Sequence, residues 1–201
     1  TASAPLTVMG HVDLIGETDA VLPLEKTRLG TRYRILNFTQ TSTIFLGSFL
    51  YAVATENGTT LWVTPSITVA GHFAGLPFSV TLNRGQVYML ATSGVGPGLS
   101  GTLLDSDQPI AVYAGNLRNN IPSGANFADH VEEQQYPLDC GGTEFLTAPL
   151  ALQSAGQFIR MDAIPPAFDG LWQKKSSAGQ AVRRGYVHRV AVSALVKQSA
   201  V

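Results

Sequence analysis

Charge is what this sequence has least of. Asp, Glu, Lys and Arg make up 13% of its 201 residues, about half the roughly 25% of an ordinary soluble domain. The formal net charge is −1, so no overall field calls for nucleic acid or an anionic membrane surface. Cysteine occurs once, at Cys140, which excludes a disulfide within the chain. Beside two glycines Cys140 reads as a buried, inert thiol rather than a reactive one. No apolar run reaches the ~20 residues of a membrane-crossing helix. No Gly-x-Ser-x-Gly nucleophile elbow is present. His11, His72, His130 and His188 are scattered, with neither zinc nor EF-hand ligand spacing. The sequence calls for no cofactor and no metal and argues against an enzyme; an uncharacterised hydrolase is the weakest reading it leaves.

The few charges are unevenly spread. Residues 1–163 hold 7 basic and 13 acidic groups, whereas residues 164–201 hold 6 basic groups and only Asp169. The end of the chain is electrostatically complementary to the rest.

What the chain has in abundance is short runs of β-formers broken by turn residues. Asn57-Gly58 separates YAVAT from TTLWVT, and Asn-Gly is the strongest short hairpin signal because both positions tolerate positive φ. Asn83-Arg84-Gly85 separates FSVTL from QVYML in the same way. Asp105-Ser106-Asp107-Gln108-Pro109 reads as a turn before IAVYAG rather than half of a calcium loop. The period is two: Phe78, Val80 and Leu82 share one face, and Val87, Met89 and Ala91 share another. Further strands are expected at Leu6–Ile15, Arg32–Thr39, Thr43–Thr55, Glu144–Pro149 and Gln157–Asp162. Residues 116–142 read as one long irregular loop, the kind that carries function. Pro165 to Gly185 reads as a linker, and Tyr186–Val196 as a final alternating strand. The fold class is all-β, an antiparallel sandwich-like arrangement built from hairpins with one long irregular loop. Residues 1–163 form the β-rich domain, and 164–201 a basic linker plus a C-terminal strand. Asn37-Phe38-Thr39 and Asn57-Gly58-Thr59 match the glycosylation sequon.

Several blocks in fixed order carry a family resemblance: ATENGTTLWVTP, GLPFSVTLNRGQVYML, LSGTLLDSDQPIAVYAGN, ADHVEEQ and GTEF. Over about residues 50–162 the sequence resembles the IgGFc-binding protein N-terminal domain family. That resemblance implies a non-catalytic extracellular module for adhesion or binding. The family often carries cysteines between its GN and DH blocks; here Leu117, Ala125 and Phe127 occupy that region, so a pinned loop and IgG binding are not carried over. Gly141 stands where the family has Trp.

Asp129, His130, Glu133 and Gln134 match the family's DHxxEQ block and are read as loop-stabilising groups or a partner-binding loop, ahead of a metal site. Trp62, Phe78, Tyr88 and Tyr113 are expected as core or cross-strand aromatics, and as a sugar platform only if several point outward together. Tyr186, His188, Val190 and Val192 share one face of the last strand, which is read either as completing its own sheet or as an assembly strand that adds to a neighbouring subunit. Three functions follow in order. The first is an extracellular or cell-surface binding module for a protein or glycan. The second is a subunit of a self-assembling fibre or sheath. The hydrolase is the third.

Overall fold

The computed structural model describes residues 3–14, 17–41, 46–121 and 126–141, and the backbone of four strands beyond them. The chain forms two compact units, Thr1–Glu144 and Phe145–Val201. The first holds β1 (Gly10–Leu14), β2 (Glu17–Val21), β3 (Gly30–Arg34), β4 (Leu46–Ala54), β5 (Thr59–Thr64), β6 (Phe78–Leu82), β7 (Val87–Ser93), β8 (Leu103–Asn119) and β9 (Asp129–Gln134). The second holds β10 (Gln157–Met161), β11 (Leu171–Gln173), β12 (Arg184–Tyr186) and β13 (Val192–Val196). Every ladder is antiparallel. The fold is all-β, and β3 to β9 make one nearly closed, barrel-like sheet.

The sheet is built on β8. Its first part, Leu103–Ser106, pairs with β5, and its second, Ile110–Asn116, pairs with β4. β3 and β9 pair with β8 as well. A strand has two edges, and Ile110 is shared by β3 and β4; β5 and β4 therefore lie end to end along one edge, β3 and β9 along the other. The expected turn at Asp105–Pro109 is absent: the backbone stays extended, and the strand changes partners there. Pro109 has no N–H to offer a ladder. The polar residues around it hold the crossing instead. Asp107 Oδ1 accepts the Thr60 amide (2.8 Å) and Ser106 Oγ donates to the Gln108 carbonyl (2.8 Å).

This arrangement also corrects the two hairpins. β4 pairs with β7 and β5 with β6, but β4 and β5 follow one another along the same edge of β8 and do not pair with each other. The Asn57-Gly58 and Asn83–Gly85 turns are corners packed together. Asn57 Oδ1 accepts the Arg84 amide (3.1 Å), and Asn83 Oδ1 accepts the Gly58 amide (3.2 Å). Gly58 and Gly85 have φ of +70° and +81°, so the local conformation was legible even though the pairing was not. Gly58→Val is expected to destabilise by about 1–2 kcal/mol, because a β-branched residue resists positive φ. An unchanged denaturation midpoint would contradict this.

The core lies inside the barrel, where Tyr33, Leu50, Leu61, Val63, Leu104 and Val112 are fully buried. Tyr33 is satisfied there: its hydroxyl donates to the Ile110 carbonyl (2.6 Å) and accepts the Gly30 amide (2.9 Å). Phe78, Val80 and Leu82 face this core as the alternation implied, while Val87 and Met89 are exposed.

Further corrections concern β3 and the long loop. Strand β3 stops at Arg34, so Arg32–Thr39 is not one strand. Residues 35–41 follow the sheet but take much of their hydrogen bonding from side chains of Asn116, Asn119, Ser100 and Gln135. Such side chains replace a ladder, which residue propensity does not reveal. Residues 116–142 are not one irregular loop: β8 continues to Asn119, and Asp129–Gln134 form β9 against it. Cys140 is exposed, not buried, at the end of a short 3-10 turn over Leu138–Cys140. Asn37 is buried and Asn57 exposed, which separates the two sequons.

In the second unit β13 pairs with β10, and β12 with β11. The stretch read as a linker thus contains a two-stranded ladder. The expected last strand is described as two strands with different partners, Tyr186 in one and Val192 in the other. His188 and Val190 lie outside the described residues, as do Thr43–Phe45 and the strand expected at Glu144–Pro149.

Candidate binding face around strand β9

The DHVEEQ block alternates with period two, and its polarity hid this. His130, Glu132 and Gln134 are buried, while Asp129 and Glu133 are exposed. A strand with polar inward residues gives no hydrophobic alternation to read. Burying such groups requires that each find a partner, and each does.

His130 Nδ1 lies 3.0 Å from the Leu117 carbonyl, and Nε2 lies 3.2 Å from Glu132 Oε2. Its ring stacks on Phe49, with centroids 5.8 Å apart. The Glu132 carboxylate also accepts the Tyr51 hydroxyl. Tyr51 in turn stacks on Tyr113, its neighbour across β4 and β8, at 4.9 Å. The bond to Glu132 raises the His130 pKa against the opposing effect of burial; the Leu117 carbonyl and the Glu132 and Asp19 charges add to it. Burial pushes the Glu132 carboxyl up, but its bonds from His130 and Tyr51 outweigh that and hold it below the usual range. Burial, then the Glu132 carboxylate, push the Tyr51 phenol well up. Desolvation, then the charges of Asp19 and Glu132, raise the carboxyl of Glu133.

Strand β2 runs beside β9. Asp129 Oδ1 accepts the Thr18 amide (3.0 Å), and Asp19 Oδ2 accepts the Glu132 amide (2.7 Å). Gln134 Oε1 accepts the Leu24 amide, and Glu17 pairs with Arg118 at 3.1 Å. The acids and the imidazole are thus engaged in joining strands. Among the described residues no group of three His, Cys, Asp or Glu is arranged to hold a metal ion. Of the other histidines, His72 stacks on Phe78 at 3.5 Å. Asp105, weighed as a calcium ligand, pairs with Arg32 at 2.9 Å.

The structure brings His130 and Gln134 onto the buried face of β9 and leaves Asp129 and Glu133 toward solvent. Two exposed aromatics bracket the strand: Phe127 before it, 88% exposed, and Tyr136 after it, 67% exposed. Of the aromatics named from sequence, Phe78 and Tyr88 pack against the core, Trp62 is partly exposed, and Tyr113 joins the Tyr51 stack. Tyr51, Phe49, Asp19 and the Glu17–Arg118 pair were not singled out from sequence, and Glu132 was noticed only as one of a cluster of acids. The i, i+2, i+4 spacing of His130, Glu132 and Gln134 was the available signal for Glu132. The others come from β2, β4 and β8, and only the fold unites them.

No helix among the described residues is long and apolar enough to cross a membrane. Comparison with curated proteins and with solved structures gives no match. The family model described as IgGFc binding protein matches residues 18–164. That span starts within β2, some thirty residues before the blocks that carried the resemblance, and so takes in the β2–β9 contact. It includes the corner turns, the whole of β8 and the DHVEEQ strand. With almost three quarters of its length matched, this chain belongs to the IgGFc binding protein family of binding modules.

Proposed function

We propose that the protein is a non-catalytic extracellular or cell-surface module that binds a protein or glycan. The observation that carries this reading is the family match over residues 18–164. The geometry is in keeping with it. The histidine, the tyrosines and the acids Asp19, Asp129 and Glu132 around β9 hold strands together, and Phe127, Glu133 and Tyr136 stand toward solvent as the contact surface. Exposed aromatics beside charged groups are the residue types that anchor interfaces.

The test is binding of the purified chain to a panel of extracellular proteins, IgG Fc among them, and to a glycan array. Saturable binding to at least one probe is expected, and Phe127→Ser combined with Glu133→Lys should weaken it at least tenfold without lowering thermal stability. Absence of saturable binding across both panels, or binding indifferent to the double variant, would count against this reading. A fibre or sheath subunit is the second function. It would use Tyr186–Val196 as a donor strand, and β13 would then have to exchange its ladder with β10 for one with a neighbour. Filaments in electron micrographs that vanish on deleting residues 185–201 are the outcome that would favour it.

A further inference from the structure

We propose that His130 and Glu132 form a pH-sensitive latch that holds the N-terminal β1–β2 hairpin against the edge of β9 and slackens it as pH rises. The inference is independent of which partner the protein binds.

The hairpin is attached in an unusual way. β1 pairs only with β2, and no backbone ladder among the described residues joins β2 to β9. Apolar anchoring is thin: among the described residues no side chain of the hairpin belongs to the buried core, Val12 and Val21 are only half-buried, and Met9 and Leu22, which flank the hairpin, are exposed. The attachment is made by side chains: Asp129 to the Thr18 amide, Asp19 to the Glu132 amide, Gln134 to the Leu24 amide, and Glu17 to Arg118. An element held by polar contacts, with little buried apolar area, belongs to the low-stability end of a fold.

Glu132 connects this seam to a titrating group. Its amide is tied to Asp19 on β2, and its carboxylate to His130. Both ring nitrogens of His130 face acceptors, the Leu117 carbonyl and the Glu132 carboxylate. A neutral imidazole carries only one N–H, so only the imidazolium satisfies both partners. The groups that surround it agree with a cation there. Glu132 on its own strand and Asp19 on β2 act on it, and Phe49 of β4 stacks on it; Tyr51 of β4 bonds the same Glu132 carboxylate, and β8 brings Leu117, followed in the chain by Arg118. Arg118, the one other cation in that set, is taken up by Glu17.

When His130 loses its proton, one ring nitrogen turns a lone pair toward an acceptor. The Glu132 carboxylate then loses its cationic partner: either the Tyr51 hydroxyl is its one remaining donor, or it keeps a neutral N–H while the Leu117 carbonyl is left facing the lone pair. An unpaired buried charge is relieved by movement. The movable side of this contact is the hairpin.

The sign follows from the two shifts. The His130 pKa is raised above 6.5, so its contribution is complete below that value and disappears as pH rises through the folded-state pKa. The Glu132 pKa is lowered below 4.5, so its contribution is complete above that value and disappears as pH falls through its own folded-state pKa. The latch is closed in mildly acidic solution and opens toward alkaline pH.

The test is NMR on the full chain across the histidine range, following the imidazole nitrogens of His130 and the hydrogen-exchange protection of the Thr18 and Glu132 amides, corrected for intrinsic pH dependence. Both nitrogens should be protonated at the acid end, with a midpoint above 6.5. Protection of the two amides should fall severalfold in step with that titration, while amides of β4 and β8 stay protected. A midpoint at or below 6.5, or amide protection unmoved across the titration, overturns the proposal. His130→Gln should abolish the pH response and Glu132→Gln should lower the His130 midpoint. Since the wild-type titration decides the matter by itself, a variant that failed to fold would not shield the idea.

Discussion

Gly115→Ala is expected to destabilise the protein by about 3 kcal/mol or more, a large part of the roughly 5–15 kcal/mol that holds a typical domain together. A Cβ at this position would overlap the Val131 carbonyl oxygen and sit 2.9 Å from Glu132 Cα. Both obstacles are backbone atoms of β9, fixed by its ladder with β8, where Gly115 pairs with Glu132. A side-chain obstacle would swing aside, but backbone in a ladder cannot without breaking hydrogen bonds. Gly58→Ala is the natural control. That site has a positive φ, but no atom lies within 4 Å of the place a methyl group would take, so only the backbone term of about 1 kcal/mol applies. Denaturant titration of both variants checks the contrast, and equal losses would show that the tight approach of β9 to β8 is wrong.

The neighbouring residue gives the second large effect. Asn116→Ala is expected to cost about 3 kcal/mol, because it strips partners from several buried polar groups at once. Asn116 is fully buried. Its Oδ1 accepts the Phe38 amide (3.1 Å), and its Nδ2 faces the Phe38 carbonyl (3.0 Å), Gln40 Oε1 (2.9 Å) and Ser48 Oγ (3.1 Å). It thereby supplies residues 38–40 with bonds that a strand would otherwise give. Asn116→Asp keeps the size but exchanges the amide donors for a buried carboxylate, and should cost at least as much. If the Asp variant were as stable as wild type by thermal and denaturant unfolding, the residue would be filling space and not bonding.

These two positions show why the sequence was legible in part. The strands β5 and β6 announced themselves through period-two alternation, because one face of each meets an apolar core; β7 was legible as a run of β-formers, but the face named from it, with Val87 and Met89, is the exposed one. Gly58 and Gly85 announced their positive φ. Pairing was harder to read. An Asn-Gly turn between two β-runs makes a hairpin only if the runs stay in register, and here β8 lies alongside both β4 and β5. β8 itself looked like two strands because Asp105–Pro109 has the composition of a turn, yet those polar groups serve a change of partner within one strand. Strand β9 was missed for a different reason. Its inward residues are His130, Glu132 and Gln134, whose partners come from β2, β4 and β8, far away along the chain in the case of Asp19. Cys140 was misplaced because two adjacent glycines say nothing about what covers them. The family blocks, by contrast, were readable as a set: AGN and DHVEEQ are the places where β8 and β9 meet most closely.

The central structural claim is that DHVEEQ is a strand joined to β8, with its buried face spent on framework contacts. Hydrogen exchange of the amides from Asp129 to Gln134 tests it most directly. The Val131 and Glu133 regions are predicted to exchange slowly, with protection close to that of the β8 amides from Tyr113 to Asn116, and Gly115→Ala to remove it. Exchange across this block as fast as in an open loop, in the intact protein under native conditions, would contradict it.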